Sequence, residues 1–184
     1  MADIQSQLQG MVDDLREGLS VEVKNWLNGL ASALDKANLA KEIIALANND
    51  GGFVFVGFDD AAAHASIIPL PGEREAFTQD TVSGLVQAYV SPPCQCEVHF
   101  ITRTGETVQH PVIVVPGGHR TPVFARRGGP GNEVIKTNDV YLRRPGGSSE
   151  AARTQDDWEK LLDRLVKARQ ADQLNAIREI LNPQ

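Results

Sequence analysis

Cysteine and long apolar runs are both scarce in this chain. Only Cys94 and Cys96, one residue apart, occur among its 184 residues. That excludes a disulfide framework and fits a reducing compartment, the cytoplasm. No apolar run approaches the roughly 18 residues of a membrane span, so no membrane association is expected. The opening Met1-Ala-Asp-Ile-Gln lacks the basic-then-apolar pattern of a secretory signal. No Gly-x-x-x-x-Gly-Lys-Ser/Thr loop is present, and Gly128-Gly-Pro-Gly131 lacks the following helix and lysine, so nucleotide binding has little support. Helix-turn-helix and RNP-type motifs are missing too, which argues against base-specific reading. Positive charge is in deficit: 18 Lys and Arg stand against 24 Asp and Glu, a net charge of −6. A protein that coats nucleic acid indiscriminately is thereby excluded.

What is present fits one globular domain. Apolar residues make up 41% and charged residues 23%, enough for a proper core but not for two comfortable domains at this length. The charge is unevenly spread. Residues 119–153 carry seven basic and three acidic side chains on an otherwise acidic chain. His119, Arg120, Arg126, Arg127, Lys136, Arg143, Arg144 and Arg153 are therefore candidates for a phosphate-facing strip, since arginine pairs phosphate oxygens two at a time.

Periodicity predicts an alternation of helices and strands. Ile4, Leu8, Met11, Val12 and Leu15 form one stripe of a helix over 2–16, which Gly18 is placed to end. Residues 20–27 alternate as a strand with Glu22 and Lys24 on one face and Val21 and Val23 on the other. Ser32 caps a helix over 34–49, Gly51-Gly52 stops it, and Phe53–Phe58 reads as a buried strand. After an alanine loop comes a short strand near Ser66–Leu70, then a helix from the Thr78 cap to Tyr89. Two antiparallel strands, 94–103 and 106–115, turn at Thr104-Gly105, and Pro111 implies an edge or a bulge. Short strands are expected at 122–126 and 139–143. Thr154-Gln-Asp-Asp157 then caps a final helix over 155–181. The fold class is thus α/β (α+β): a mixed sheet packed by helices, with flanking N- and C-terminal helices.

The stretch Glu17 to Asp60 carries the chemistry. Glu17 and Glu22 converge only if the backbone bends between them, a freedom that Gly18 supplies. Asp60 lies just past the end of an apolar strand. Three oxygen ligands of this kind, Glu17, Glu22 and Asp60, suit a hard divalent ion such as Mg²⁺ or Mn²⁺. Such an ion activates water and neutralises charge on a scissile phosphate, with Lys24 assisting. Asn48, Gly51 and Gly52 read as a helix-to-strand turn. Cys94 and Cys96 share a strand face from which His99 points away, so no zinc is expected.

These motifs, in this order, resemble the AlbA_2-type domain of Schlafen proteins. They are Glu17-Gly-Leu-Ser-Val-Glu22-Val-Lys24, Ala47-Asn-Asn-Asp-Gly51-Gly52, Phe53 to Asp60, and a tail Tyr141-Leu-Arg143-Arg144-Pro-Gly-Gly-Ser-Ser-Glu-Ala151. Gly18 and Val23 depart from the family's serine and phenylalanine. The resemblance covers roughly residues 15–153 and implies one such domain over 1–153, including its N-terminal helix. Residues 154–184 would add a helix for packing or dimerisation. It further implies a nucleic-acid-binding protein, acting on RNA rather than DNA. Glu17, Glu22 and Asp60 would be the catalytic carboxylates of a metal-dependent endoribonuclease acting on structured RNA such as tRNA, with Lys24 beside them. Arg143 is the arginine of the tail motif. Because Schlafen cores pair two such lobes, a single lobe implies a homodimer. The alternatives are a non-catalytic nucleic-acid-binding or assembly subunit in regulation or defence, and an ATP-binding regulator.

Overall fold

The computed structural model describes residues 4–61 and 64–181, together with all their side chains except those of Glu179 and Ile180. In chain order the elements are α1 (Ile4–Asp13), β1 (Val21–Lys24), α2 (Ala33–Asn48), β2 (Gly52–Val56), α3 (Gln79–Tyr89), β3 (Val90–Ser91), β4 (Glu97–Thr102), β5 (Gln109–Val115), β6 (Phe124–Ala125), β7 (Tyr141–Arg143), β8 (Ser149–Ala151) and α4 (Gln155–Leu181). The main sheet has the order β1-β2-β5-β4. Its β1–β2 pair is parallel and its other pairs are antiparallel, so the sheet is mixed as expected. Two short antiparallel ribbons, β3–β6 and β7–β8, stand beside it.

Alternation along the strands divides the core into two layers. On one face Val54, Val56, Ile113 and Val115 meet Leu39, Ile43 and Leu46 of α2 and Val82 and Val86 of α3. On the other, Val23, Phe55, Ile101 and Val112 meet Leu8, Val12 and Leu15. Each fully buried side chain of this size contributes roughly 1.5–3 kcal/mol relative to exposure. A third, smaller cluster joins Leu161 and Leu165 of α4 to Val140, Leu142 and Ala152. Because successive strand residues face opposite ways, burying Val23 beneath α1 turns Glu22 and Lys24 toward α2.

Local signals explain most element ends. Ser32 accepts from the Asp35 N–H, and the Asp35 carboxylate accepts from the Ser32 N–H, a complete capping box for α2. Thr78 caps α3. Thr154 and Asp157 exchange the same kind of bonds at the start of α4. The turn out of α2 needs glycine for space as well as dihedral freedom. A Cβ on Gly52 would lie 2.3 Å from the Ser20 carbonyl oxygen, and one on Gly51 2.6 Å from the Gly117 nitrogen.

Several expectations are corrected. The first helix ends at Asp13, not near Gly18, whose φ is not left-handed. Arg103 donates to the Val12 carbonyl, and Asp13 accepts from Thr104, so the β4–β5 turn sets the end of α1. Residues 2 and 3 of that expected helix, and Ala62 and Ala63 of the alanine loop, lie outside the described residues. The strand expected at 66–70 is reduced to a single bridge between Phe58 and Ser66. Pro111 is on neither an edge nor a bulge. It sits in the internal strand β5, opposite Phe100 and beyond the point where β2 stops pairing at Val112. On that side the Val56 carbonyl accepts from the His110 ring, so the ladder with β2 ends where proline has no N–H to give.

Candidate functional site

Three elements bring the site together: the edge strand β1, the middle of α2, and the turn between β7 and β8. Their meeting leaves a polar cleft of about 390 Å³. Glu17, Glu22, Lys24 and Asp60 all line it, joined by Lys41 and Glu42 of α2 and by the turn from Gly146 to Ser149. A wider depression of about 600 Å³ lies at the β4–β5 turn beside Ser66, Arg103 and Glu106, but only one carboxylate faces it.

The expected bend after Glu17 is present. The Gly18 N–H donates to the Val21 carbonyl, folding the chain back so that a Glu17 carboxylate oxygen accepts from the Val23 N–H at 3.2 Å. Gly147 closes over this acid, where an added Cβ would come within 3.1 Å of the Glu17 Cβ. The two adjacent aspartates after β2 divide their tasks. Asp59 accepts from the Ala61 and Ala65 N–H groups and shapes the loop, while Asp60 is exposed and faces the cleft.

The floor of the cleft is an ion network. Glu22 and Glu42 are each 3% exposed, and the Arg143 side chain is 0% exposed. Arg143 Nη1 donates to Glu22 and, at 3.4 Å, to Glu42. Its Nη2 donates to the carbonyls of Gly18 at 2.7 Å and Val21 at 2.8 Å. The Ser149 hydroxyl donates to Glu42. From the open side Lys24 Nζ lies 2.5 Å from Glu22 and 3.4 Å from Glu42, and Lys41 lies 3.4 Å from Glu42. Burial, reinforced by the negative charge of Glu42, pushes the Glu22 carboxyl above its ordinary range against the pull of Lys24 and Arg143. For Lys24, burial works to lower the pKa, but Glu42 and Glu22 together outweigh it and hold the ammonium above its ordinary value.

This arrangement does not fit the expected divalent ion. Among the described residues no three His, Cys, Asp or Glu side chains come together as a metal shell requires. The physical reason is that Glu22 and Glu42 already face Lys24, Lys41 and Arg143. Glu17, Glu22 and Asp60 share the cleft without forming a coordination sphere.

The basic strip is also rearranged. Arg143 lies inside the protein, where it holds acids and cannot meet a nucleic-acid backbone. Arg144 is paired with Glu150 and Asp157, Arg153 with Asp139, and Arg120 with Asp172. Arg126 donates to the Gln87 carbonyl, and Arg127 stacks 4.5 Å from the Tyr89 ring. Lys136 is exposed, and the His119 ring sits 3.1 Å from the Pro116 carbonyl. Cys94 and Cys96 lie in the loop before β4 rather than on a strand, with sulfurs 3.8 Å apart, while His99 contacts Glu97 and Gln5.

Sequence reasoning missed Lys41, Glu42 and Ser149. A signal for Glu42 was available: it stands three residues after Leu39 and four before Leu46, inside the apolar stripe of α2. An acid on a buried stripe requires a cationic partner. Lys41 and Ser149 carry no comparable signal.

The fold is shared with the DIP2311 protein from Corynebacterium diphtheriae over 86% of this chain, with a TM-score of 0.57 and 15% identity; the chain spans 28% of that protein. The N-terminal domain of a RecG-related protein from Nitrosomonas europaea aligns with 84% of this chain and 96% of its own length, at 18% identity and a TM-score of 0.48. No curated protein matches. Among the described residues no helix is long and apolar enough to cross a membrane. Residues 17–152, which take in the whole cleft from Glu17 to Ser149, match the family described as Schlafen, AlbA_2, and the chain belongs to that family.

Proposed function

We propose that this chain is a nucleic-acid-directed protein whose cleft engages a phosphodiester of structured RNA and cleaves it. One observation carries the reading: Glu17, Glu22 and Asp60, remote from one another in sequence, line one cleft with two lysines. Lys24 and Lys41 supply positive charge for phosphate oxygens. Glu22, whose pKa burial raises, is the acid of the cleft we assign to proton exchange. Glu17 and Asp60 are the exposed acids of the cleft. Mg²⁺ or Mn²⁺ enters this proposal as a condition of the assay. To hold either ion, the inner carboxylates would have to leave their present partners.

The test is incubation of the full chain with tRNA in Mg²⁺, in Mn²⁺ and in EDTA, alongside Glu22→Gln, Glu17→Ala and Asp60→Ala. Cutting by the natural chain that falls about 100-fold or more in Glu22→Gln supports the proposal. Absence of cutting in every condition, or equal cutting by Glu22→Gln, removes it.

A second reading, a non-catalytic nucleic-acid-binding or assembly subunit, is favoured by the closed ion network of Glu22, Glu42 and Arg143. It predicts RNA binding that survives Glu17→Ala and Asp60→Ala and weakens steeply with salt.

A further inference from the structure

The last helix is longer than the domain that supports it. At 27 residues α4 extends about 40 Å. Among the described side chains its buried apolar contacts stop at Leu165. Farther along, the polar tethers are Arg169 to the Arg120 carbonyl and Arg120 to Asp172. Yet the apolar pattern continues: Trp158, Leu162, Val166, Leu174, Ile177 and Leu181 are all exposed. At helical spacing they follow one slowly turning ridge, with Gln170 between Val166 and Leu174 as its polar member. A helix end without packing is marginal in water, so this ridge implies a cover.

The chemistry of α4 identifies the cover. Its first half exposes Asp156, Glu159 and Asp163 against Lys160, while Asp157 and Arg164 are turned to Arg144 and the Asn48 carbonyl of their own domain. Its second half carries Lys167, Arg169 and Arg178 against Asp172 and Glu179. The helix is therefore acidic at its start and basic toward its end, which is complementary to itself when reversed. Opposed helix dipoles favour the same arrangement. A pocket of about 540 Å³ lined by Pro92, Pro122, Phe124, Val140 and Trp158 adjoins the start of the ridge.

We propose that α4 docks a second copy of this chain, the two helices lying antiparallel about Gln170. Val166 then meets Leu174 of the second copy, and Leu162 and Asp163 meet its Ile177 and Arg178. The Leu181 end of each helix reaches the Trp158 pocket of the other. Gln170 faces its own counterpart, where an amide donates and accepts at once. This surface is independent of the cleft and of any activity there.

Sedimentation equilibrium of the full chain tests it. The expected mass rises with concentration from 20.0 kDa to twice that value. The combined Leu174→Glu and Ile177→Glu variant stays monomeric with an unchanged circular dichroism spectrum, since both sites are exposed. Asp163→Arg and Arg178→Asp each weaken pairing about tenfold, because the two-fold axis doubles the lost ion pair, and together they restore it. Gln170→Cys forms a copy-to-copy disulfide on oxidation that the natural chain does not. A natural chain that stays monomeric into the high micromolar range overturns the proposal. So does a larger closed assembly, or a charge reversal that fails to restore pairing.

Discussion

Arg143 donates to Glu22 across a separation of 121 residues, joining the end of β7 to the edge strand β1. Both side chains are buried, and Glu42, Ser149 and two β1-side carbonyls share the same guanidinium. Arg143→Ala leaves two buried carboxylates short of a cation and is expected to cost about 3–5 kcal/mol. Arg143→Lys recovers part of that, because an ammonium cannot span the same acceptors. Denaturant unfolding measures both. A loss below about 1 kcal/mol for the alanine variant would contradict the network's structural role.

Asn48 is the second long-range tie. Its amide donates to the Val123 and Tyr141 carbonyls and accepts from the Val123 N–H, all buried. Asn48→Ala strands these groups at about 1–3 kcal/mol each, so a total loss of about 3 kcal/mol or more is expected. Thermal melting and hydrogen exchange at Val123 report it.

The core contains a histidine that makes stability depend on acid. His110 stacks 4.0 Å from Phe58 and 5.7 Å from Trp26, with Nδ1 3.0 Å from the Val56 carbonyl. Nε2 is buried without a partner, which suits a neutral ring with its proton on Nδ1. Burial lowers its pKa below the ordinary 6.5, outweighing the opposing pull of the Val56 bond and Glu106. The unfolded chain therefore takes up a proton near pH 6.5 that the folded chain resists. This contribution is fully present above that pH and is lost as pH falls below it, toward the depressed folded value. His110→Phe should flatten the stability profile between pH 7 and pH 5, whatever it does to the absolute value. A slope equal to that of the natural chain would exclude His110 as its source.

The exposed acids of the cleft should separate stability from chemistry. Asp60→Ala removes an exposed side chain and is expected to shift unfolding by about 0.5 kcal/mol or less, while Glu17→Ala also takes the acceptor from the Val23 N–H and is expected to cost about 1 kcal/mol. If the cleft cuts RNA, each lowers the rate about 100-fold. Variants that keep full cutting, or that unfold the protein, contradict this division.

The fold was legible because its signals are local. Ser32, Thr78 and Thr154 mark helix starts by hydrogen bonds within a single turn. Alternation along Phe53 to Phe58 reports two buried faces. What escaped depends on contacts distant in sequence. Asn48 reads as a turn former, yet its partners lie 75 and 93 residues away. Arg143 reads as a surface cation because a basic neighbourhood says nothing about depth. The place of Glu17, Glu22 and Asp60 in one cleft was readable from a flexible bend and a strand end. Their failure to form a metal shell was not, since it follows from Lys41 and Glu42, which enter from another helix.

Both outer strands of the main sheet have borrowed side chains along their free sides. On β1 the outward Val21 carbonyl is taken by Arg143. On β4 the Val98 N–H donates to the Gln79 amide oxygen, and the same amide's nitrogen reaches the Cys96 carbonyl just before the strand. An arginine and a glutamine thus act as stoppers against edge-to-edge growth. A chain missing either one would reveal the loss as strand-mediated clumping, even under conditions where the remaining fold holds.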